Sequence, residues 1–374
     1  MAKTPISADS HITEPPNCYL NYIDPGFRDR APHMKHDEEF GDVYVIDGFE
    51  KAIFMGLIAA AGKDPSQISY SGGKFDELHR GGWDPTYRLA DQDRDGLCAE
   101  IIYPSIGLVL CNHPDFDYKR ACMTAYNRWL QEYCAEAPDR LYGMAQLTMA
   151  SVADGIDELR RAKEMGFRGV MMPGNPQHED YDHLDYTPFY EAAVDLNMPL
   201  SFHILTSRSD QVDLRHGAIS QGRGPTINGF CGVLRGCQDI IGMFIFGGVF
   251  QRHPKLKLVC VEADAGWAPH YMYRMDHAYK QHRFWMKCDE MEQLPSAYFR
   301  ENVYMTFQDD WIAFQFKDAC NIRRLMWAND FPHSDATWPH SQELLAAHTA
   351  NLTEVEKDWI LHDNVAELYG LTAG

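Results

Sequence analysis

The sequence lacks several features that would place it in other classes of protein. Its ten cysteines include no C-x-x-C pair, so neither a disulfide framework nor a cysteine-based metal site is indicated. The longest apolar stretch, IGMFIFGGVF at 241–250, is too short to span a bilayer. The first residues, MAKTPISADSH, lack the basic and then apolar pattern of a signal peptide. We therefore expect a cytoplasmic protein with reduced thiols and no membrane partner.

Basic residues are scarce relative to acidic ones. The chain has 34 Lys and Arg against 54 Asp and Glu, which gives a formal net charge of −20. Nucleic acids and anionic membranes attract concentrated positive charge, so neither is expected as a partner. Eight Trp, 19 Tyr and 19 Phe supply bulky side chains for a core and a pocket. A small-molecule substrate is therefore the expected partner.

Short β-rich runs alternate with amphipathic helical stretches along the 374 residues. Eight runs have the pattern of strands, namely 6–12, 98–106, 140–149, 167–173, 198–205, 255–263, 301–309 and 323–332. Repeated β-α units predict a parallel sheet, and eight of them predict a (β/α)8 TIM barrel as a single domain over 1–374. An open doubly wound sheet is the alternative, but DSHITEPP is not the glycine-rich loop it needs after its first strand.

An irregular insertion at about 17–95 separates the first two predicted strands and is rich in Gly, Pro, Asp and aromatic residues. Long loops in compact domains are often functional, so we expect a lid or an interface there. A second aromatic run, at 262–285, has a helical pattern. It predicts either core or a subunit interface.

Five polar residues interrupt the predicted strands near their C-terminal ends. Asp9 and His11 are two residues apart on the first strand and so share a face. His203 lies on the fifth strand, Glu262 ends the sixth and Asp330 ends the eighth. One buried histidine is usually a core residue, but convergence at the catalytic end of a barrel indicates chemistry. Imidazole and carboxylate groups together there predict a metal site.

Other polar residues are weaker candidates. His79, in the insertion, is the predicted sixth ligand, and a surface-loop histidine is the equally weighted alternative. His333, just after the eighth strand, is predicted to move protons or contact substrate. Three loop residues are predicted to bind substrate, with a solvated loop role as the alternative for each: Arg80, His113 and Arg208.

Five segments carry a family resemblance: ADSHITEPP, PLSFH, GGVFQRHPKLKLV, WANDFPHSD and DNVAELYGL. Together they make the chain similar, nearly end to end, to the amidohydrolase-related family of metal-dependent barrels. That family includes aminocarboxymuconate-semialdehyde decarboxylase and resorcylate decarboxylase. The resemblance implies the same barrel and assigns metal-ligand positions to Asp9, His11, His203 and Asp330.

The chain departs from the commonest family pattern at two positions. Asp9-x-His11 stands in place of His-x-His, and Glu262 stands where decarboxylase relatives carry a catalytic histidine. A glutamate delivers protons near neutral pH only if its pKa is strongly raised, which argues against simple decarboxylation. The DSHxxEPP start and Glu262 instead resemble the branch of dinuclear non-haem oxygenases that includes the 2-aminoisobutyrate hydroxylase subunits.

The first functional hypothesis is therefore a dinuclear Fe or Mn oxygenase that hydroxylates a small organic acid or amine. It implies an electron-transfer partner, and a homo- or hetero-oligomer with a related subunit is expected. The alternative is a hydrolase or non-oxidative decarboxylase with one Zn or Mn ion, in which Glu262 and His333 move protons. A non-catalytic partner subunit is the third hypothesis.

Overall fold

Short strands and helices alternate along residues 3–50, 52–207, 225 and 227–372, the part of the chain that the computed structural model describes. The strands in this part are β1 (Ile6–His11), β2 (His33–Asp37), β3 (Gly41–Val45), β4 (Ile53–Phe54), β5 (Ala99–Tyr103), β6 (Leu141–Gly143), β7 (Ala145–Gln146), β8 (Val170–Met171), β9 (Leu200–His203), β10 (Leu258–Val261), β11 (Val303–Phe307) and β12 (Leu325–Trp327).

Several of the α-helices in the same part begin at a residue whose side chain caps the first turn. Helix Val152–Glu164, for example, starts after Ser151, whose hydroxyl accepts a hydrogen bond from the Asp154 N–H at 3.0 Å. The helices are Met55–Ile58, Pro85–Asp95, Ile106–Leu110, Phe116–Ala135, Val152–Glu164, Thr187–Asp195, Ile227–Phe230, Arg235–Phe246, Val249–Arg252, Ala268–His282, Pro295–Asn302, Trp311–Gln315, Lys317–Cys320, Ser341–His348, Glu354–Asp358 and Asn364–Tyr369.

Parallel pairing joins nine of these strands, β1 and β5 to β12, into a barrel. The order β1-β5-β6 continues through β7-β8-β9-β10-β11-β12, with β6 and β7 as two halves of one interrupted strand. The barrel closes between its last and first strands, where Asp330 N donates to Asp9 O at 3.1 Å and His11 N donates to Phe331 O at 2.7 Å. Every residue of these barrel strands is buried, as expected when helices cover a parallel sheet. The prediction of a (β/α)8 TIM barrel is confirmed.

The insertion between β1 and β5 has structure of its own. It contains the antiparallel sheet β2-β3-β4 and helix Pro85–Asp95. Residues from β4 and the turn after it, Ile53, Leu57 and Ile58, line a cavity at the end of the barrel. The insertion therefore forms part of the wall over the barrel mouth, and its predicted movement as a lid remains a prediction.

The thiols and the most apolar segment agree with a barrel core. All ten cysteines lie in the described residues, none of them forms a disulfide, and six of them are buried. One described segment, Ile227–Phe246, has the length and mean hydropathy of a membrane-spanning helix. Within it, helix Arg235–Phe246 buries Ile241 and Phe244 against the barrel, and the Phe244 ring lies 5.6 Å from the Phe202 ring of β9. This helix therefore belongs to the core around the barrel.

A buried ion pair ties the insertion to the barrel. Arg88 is fully buried, and its Nε donates to Glu100 Oε2 on β5 at 2.6 Å. Its Nη1 donates to the carbonyl of His11 on β1 at 2.7 Å. Arg88 thus fixes the end of β1, where the predicted ligands lie.

We expect Arg88→Met to reduce the free energy of unfolding by about 3–5 kcal/mol, because it leaves the Glu100 carboxylate buried without its cation. Urea denaturation followed by circular dichroism measures this loss. The control is Arg160→Met, since Arg160 lies 3.6 Å from Asp157 in an exposed pair and should leave the unfolding midpoint unchanged. Equal midpoints for both variants would show that the buried pair does not stabilise the barrel.

Candidate metal centre

Six polar side chains converge at the C-terminal ends of the barrel strands. Five of them are the residues that the strand pattern predicted, and the sixth is His333. Asp9 and His11 come from β1, His203 ends β9, Glu262 follows β10, and Asp330 and His333 follow β12. Their ligand atoms form two overlapping groups of four, within each of which all atoms lie within 4.8 Å of one another. The two groups share His11 and Glu262.

His11 lies at the middle of this arrangement. Its Nε2 is 3.3 Å from Asp330 Oδ1, 3.4 Å from Asp9 Oδ1 and 3.5 Å from Glu262 Oε2. His203 Nε2 is 3.2 Å from His11 Nε2 and 3.1 Å from Glu262 Oε2. Nitrogen and carboxylate oxygen atoms thus surround one small volume.

The hydrogen bonds of both histidines orient them toward this volume. His11 Nδ1 lies 3.0 Å from the carbonyl of Pro104, and His203 Nδ1 lies 3.1 Å from the carbonyl of Ile204. A carbonyl only accepts, so each Nδ1 carries a hydrogen and each ring directs its Nε2 at the centre, where it could bind a metal ion. Both carboxylate oxygens of Asp9 and of Asp330 are buried without a hydrogen-bond partner. Such unpaired buried oxygens fit a bound cation.

The backbone is strained at two of the carboxylates. Glu262 has a φ of 58° and Asp330 a φ of 52°, both in the left-handed region. Such conformations cost about 1–3 kcal/mol each and occur preferentially at functional sites. Glu262 N donates to Thr306 Oγ1 at 2.9 Å, and Asp330 N donates to Asp9 O at 3.1 Å. Contacts with neighbouring strands therefore hold both residues in place.

The carboxylates of the centre lie close together, and a positive charge between them would reduce their mutual repulsion. Burial raises the pKa of Asp330 well above its usual value, and the neighbouring Glu262 and Asp9 carboxylates raise it further. Burial would lower the pKa of His203, but the Asp9 and Glu262 carboxylates raise it to about 10. A proton or a metal ion is required to offset these buried carboxylates.

The centre opens into a cavity of about 310 Å³. Its wall is mainly apolar and is built from the insertion, helix Ile106–Leu110, the turn after β9 and the segment around 230–234; the apolar residues are Ile53, Leu57, Ile58, Leu108, Val109, Ile204, Leu205, Phe230, Cys231, Val233, Leu234 and Ala263. Besides Glu262 and Asp330, its polar lining contains two further acidic residues. Desolvation and nearby carboxylates raise the pKa of Asp264 to about 7 and that of Asp335 to about 6. The cavity suits a small, largely apolar molecule.

Two residues that sequence reasoning missed hold His333 in position. Ser105 Oγ lies 2.7 Å from His333 Nε2 and donates to the carbonyl of Ile12 at 2.7 Å. The buried carboxyl of Glu14 accepts from the backbone N–H groups of Ser105 at 2.9 Å and Ile106 at 2.8 Å. Glu14 lies in the ADSHITEPP segment, which was the available signal, but its role depends on backbone contacts with another strand end.

The structure does not bring His79 to the centre, which corrects its prediction as the sixth ligand. His79 Nε2 pairs with Asp91 Oδ2 at 2.7 Å, and its ring packs 4.8 Å from the Trp338 ring. The insertion uses this histidine to fix helix Pro85–Asp95 against the segment after β12. His333 takes the sixth place in the described cluster.

The predicted substrate-binding residues lie either away from the cavity or outside the described residues. Arg80 is half exposed, pairs with Asp84 at 2.9 Å and stacks on the Tyr87 ring at 4.1 Å. His113 is buried, and its Nε2 lies 2.8 Å from the carbonyl of Asp47. Neither lines the cavity as described. Arg208 lies outside the described residues, so its predicted role stays a prediction.

Comparison with known proteins shows the family of this chain. The amidohydrolase family model matches residues 9–371, and the chain belongs to that family. It is 26% identical over 220 residues to 2-amino-3-carboxymuconate-6-semialdehyde decarboxylase of Dictyostelium discoideum, a match that covers 57% of each chain. It is 27% identical over 231 residues to gamma-resorcylate decarboxylase of a Polaromonas strain, covering 58% of this chain and 68% of that enzyme.

Solved structures share the barrel at lower sequence identity. An amidohydrolase from Mycobacterium avium subsp. paratuberculosis superposes with a TM-score of 0.78 at 19% identity, covering 99% of this chain and 100% of the other. A 5-carboxyvanillate decarboxylase from Novosphingobium aromaticivorans, solved with bound manganese, gives a TM-score of 0.69 at 19% identity, covering 98% and 97%. These similarities establish the fold.

The Glu14 carboxyl predicts a specific dependence of stability on pH. Burial raises its pKa to about 8, from 4.5 in an exposed chain. The folded protein therefore binds this proton more tightly, so the contribution of Glu14 to stability is full below about pH 4.5 and declines until about pH 8. We expect Glu14→Gln, which stays neutral, to resist urea better than wild type at about pH 9 and equally at about pH 4.

The control is Glu290→Gln, because Glu290 is an exposed carboxylate whose replacement should leave the pH dependence unchanged. Urea midpoints at both pH values are the measurement. Parallel curves for Glu14→Gln and wild type would show that Glu14 is ionised in the folded protein at neutral pH.

Proposed function

We propose that this protein is a divalent-metal-dependent carboxy-lyase that releases CO2 from a small, largely apolar carboxylic acid without an oxidant. The observation that carries the proposal is a difference in exposure within the cluster. The side chains of Asp9, His11, His203 and Asp330 are fully buried. The side chains of Glu262 and His333 are each 12% exposed, and both line the cavity. We take the four buried residues as ligands and the two partly exposed residues as the groups that meet the substrate, beside Asp330, which also borders the cavity.

The four buried side chains would hold the metal ion. Their unpaired carboxylate oxygens and inward-facing imidazole nitrogens supply two hard and two intermediate ligands, which suit Mn²⁺ or Zn²⁺. When bound, such an ion supplies the positive charge that holds a substrate carboxylate and withdraws electron density from it. The remaining positions of the ion would face the cavity.

Glu262 and His333, the two partly exposed residues of the centre, face the cavity and are assigned to proton transfer. In decarboxylation the bond between the carboxylate and its neighbouring carbon breaks, CO2 leaves, and that carbon keeps the electron pair and takes up a proton. Glu262 and His333 are the groups that can exchange this proton with the substrate, since both line the cavity. Contacts with the ligand histidines lower the pKa of Glu262 in the metal-free protein, so Glu262 can deliver the proton only if binding of the metal and the substrate raises that pKa. Ser105 Oγ lies 2.7 Å from His333 Nε2 and so positions the ring. The other ring nitrogen, His333 Nδ1, faces the centre and lies 3.3 Å from Asp330 Oδ1. The apolar wall excludes water from the reacting carbon.

The named relatives support non-oxidative chemistry, which was the alternative hypothesis from the sequence. The curated relatives described above are decarboxylases, and the manganese-containing structure is also a decarboxylase. The dinuclear iron and electron-transfer predictions have no such support. One observation keeps the dinuclear Fe or Mn oxygenase as a second candidate function: both donor groups include Glu262, whose carboxylate has two oxygens and could contribute one to each of two ions.

Substitution should separate ligands from proton carriers. We expect His203→Ala and Asp330→Asn to lose bound manganese, because each removes a buried ligand. Glu262→Gln should retain the metal of the wild type and lose CO2 release by about 10²-fold or more, because it cannot carry a proton. Elemental analysis per chain and CO2 release from a panel of aromatic and unsaturated carboxylic acids are the measurements.

Glu343→Gln is the matched control for this series, since Glu343 is a highly exposed carboxylate and should keep both metal and activity. Loss of the metal in Glu262→Gln would make Glu262 a ligand and overturn its assigned role in proton transfer.

Removal of the metal and removal of oxygen should have different effects. Chelation should abolish CO2 release and added Mn²⁺ should restore it, because the substrate carboxylate loses its counter-charge. An anaerobic assay should give the aerobic rate, since no oxidant enters the reaction. Turnover that requires O2 and a reductant would instead establish the oxygenase.

A further inference from the structure

A second group of metal-ligating side chains lies on the loop between β8 and helix Thr187–Asp195. It consists of His178, His183 and Asp185, called the loop cluster below. Their side chains are 44%, 47% and 53% exposed. None of them lines the cavity or belongs to the barrel centre as described. The function proposed above does not use them.

The three side chains point at one another. His178 Nε2 lies 2.8 Å from Asp185 Oδ2, and His183 Nδ1 lies 3.4 Å from the same oxygen. All three ligand atoms lie within 4.8 Å of one another. The Asp185 N–H donates to His183 Nδ1 at 3.3 Å, so this nitrogen acts as an acceptor and is held beside the carboxylate oxygen. The two imidazole rings are nearly perpendicular, at 89°.

Buried contacts on either side hold this loop. Tyr181, between the two histidines, is fully buried, and its hydroxyl donates to the carbonyl of Pro173 at 2.7 Å. Its own carbonyl accepts from the hydroxyl of Tyr190 at 2.5 Å. Arg252 Nη2 donates to the carbonyl of Asp182 at 3.1 Å. The loop is therefore fixed at the middle of the cluster, which reduces the entropy that a bound ion would have to offset.

A simple ion pair does not account for this arrangement. An exposed His-Asp pair needs one imidazole, as in the pair of His36 Nδ1 and Asp42 Oδ1 at 2.7 Å. Here two imidazoles converge on one carboxylate oxygen. Two protonated rings on one carboxylate would leave a net positive charge, whereas two neutral rings and a carboxylate suit a divalent cation.

We propose that the loop cluster is a separate metal site for a late first-row divalent ion, with Zn²⁺ as the expected occupant. Two imidazoles and one carboxylate are ligands that Zn²⁺ prefers, and water completes its tetrahedral coordination at an exposed site. The site differs from the barrel centre in being exposed and in having one carboxylate, whereas the four proposed ligands of the barrel centre include two buried carboxylates. The proposal is independent of the carboxy-lyase reaction.

Zinc titration of the metal-free protein tests the site. Wild type, His183→Ala, Asp185→Asn and the control His36→Ala are saturated with Zn²⁺ and freed of excess ion by gel filtration, and Zn per chain is then measured. We expect His183→Ala and Asp185→Asn to hold one ion fewer than wild type, and His36→Ala to hold the same number. Comparison with wild type makes the result independent of how many ions the barrel centre binds.

Histidine ring NMR provides a second measurement that does not depend on counting. With the barrel centre already loaded with Zn²⁺, further Zn²⁺ should shift the ring signals of His178 and His183 together and leave that of His36 in place. Equal zinc content in all four proteins, or His178 and His183 signals that do not respond to Zn²⁺, would overturn the proposal.

Discussion

Three carboxylates and three imidazoles share one small, largely buried volume at the end of this barrel, and the rest of the site depends on this concentration of charge. Asp9 and Asp330 have no exposed surface and no hydrogen-bond partner for either carboxylate oxygen. Burying an unpaired carboxylate is costly unless a cation offsets it. The fold must therefore bring these groups together and keep them buried, so that a bound metal ion can offset their charge.

Barrel closure performs the assembly. The ligands on β1 and those after β12 are held together by main-chain hydrogen bonds between the two segments, from Asp330 to Asp9 and from His11 to Phe331. Around this seam, Asn329 bonds to Ser7 and to Asp95, and Arg88 bonds to the His11 carbonyl. A loss of closure would separate the carboxylates, so the integrity of the metal centre and the stability of the barrel are linked.

The sequence predicted the barrel and most of the centre for one physical reason. Parallel strands place their C-terminal ends at one edge, so Asp9, His203 and Glu262 could be brought together from strand positions alone. That argument fails for His79, because His79 lies in the insertion and outside any strand, so no strand pattern fixes where its side chain points. In the structure it pairs with Asp91. It also fails for Glu14 and Ser105, because their contacts run through backbone groups of a loop. The choice between oxidative and non-oxidative chemistry depends on ion number, which ligand identity alone does not fix.

The loop cluster changes what a bulk metal measurement means for this protein. Two ions per chain are the usual evidence for a bridged pair, yet one ion in the barrel and one on the surface loop would give the same stoichiometry. The exposed imidazoles of His178 and His183 would also retain the untagged chain on immobilised nickel and take up that metal during purification. The nuclearity of the centre therefore has to be read from the magnetic coupling between ions, with the surface histidines removed.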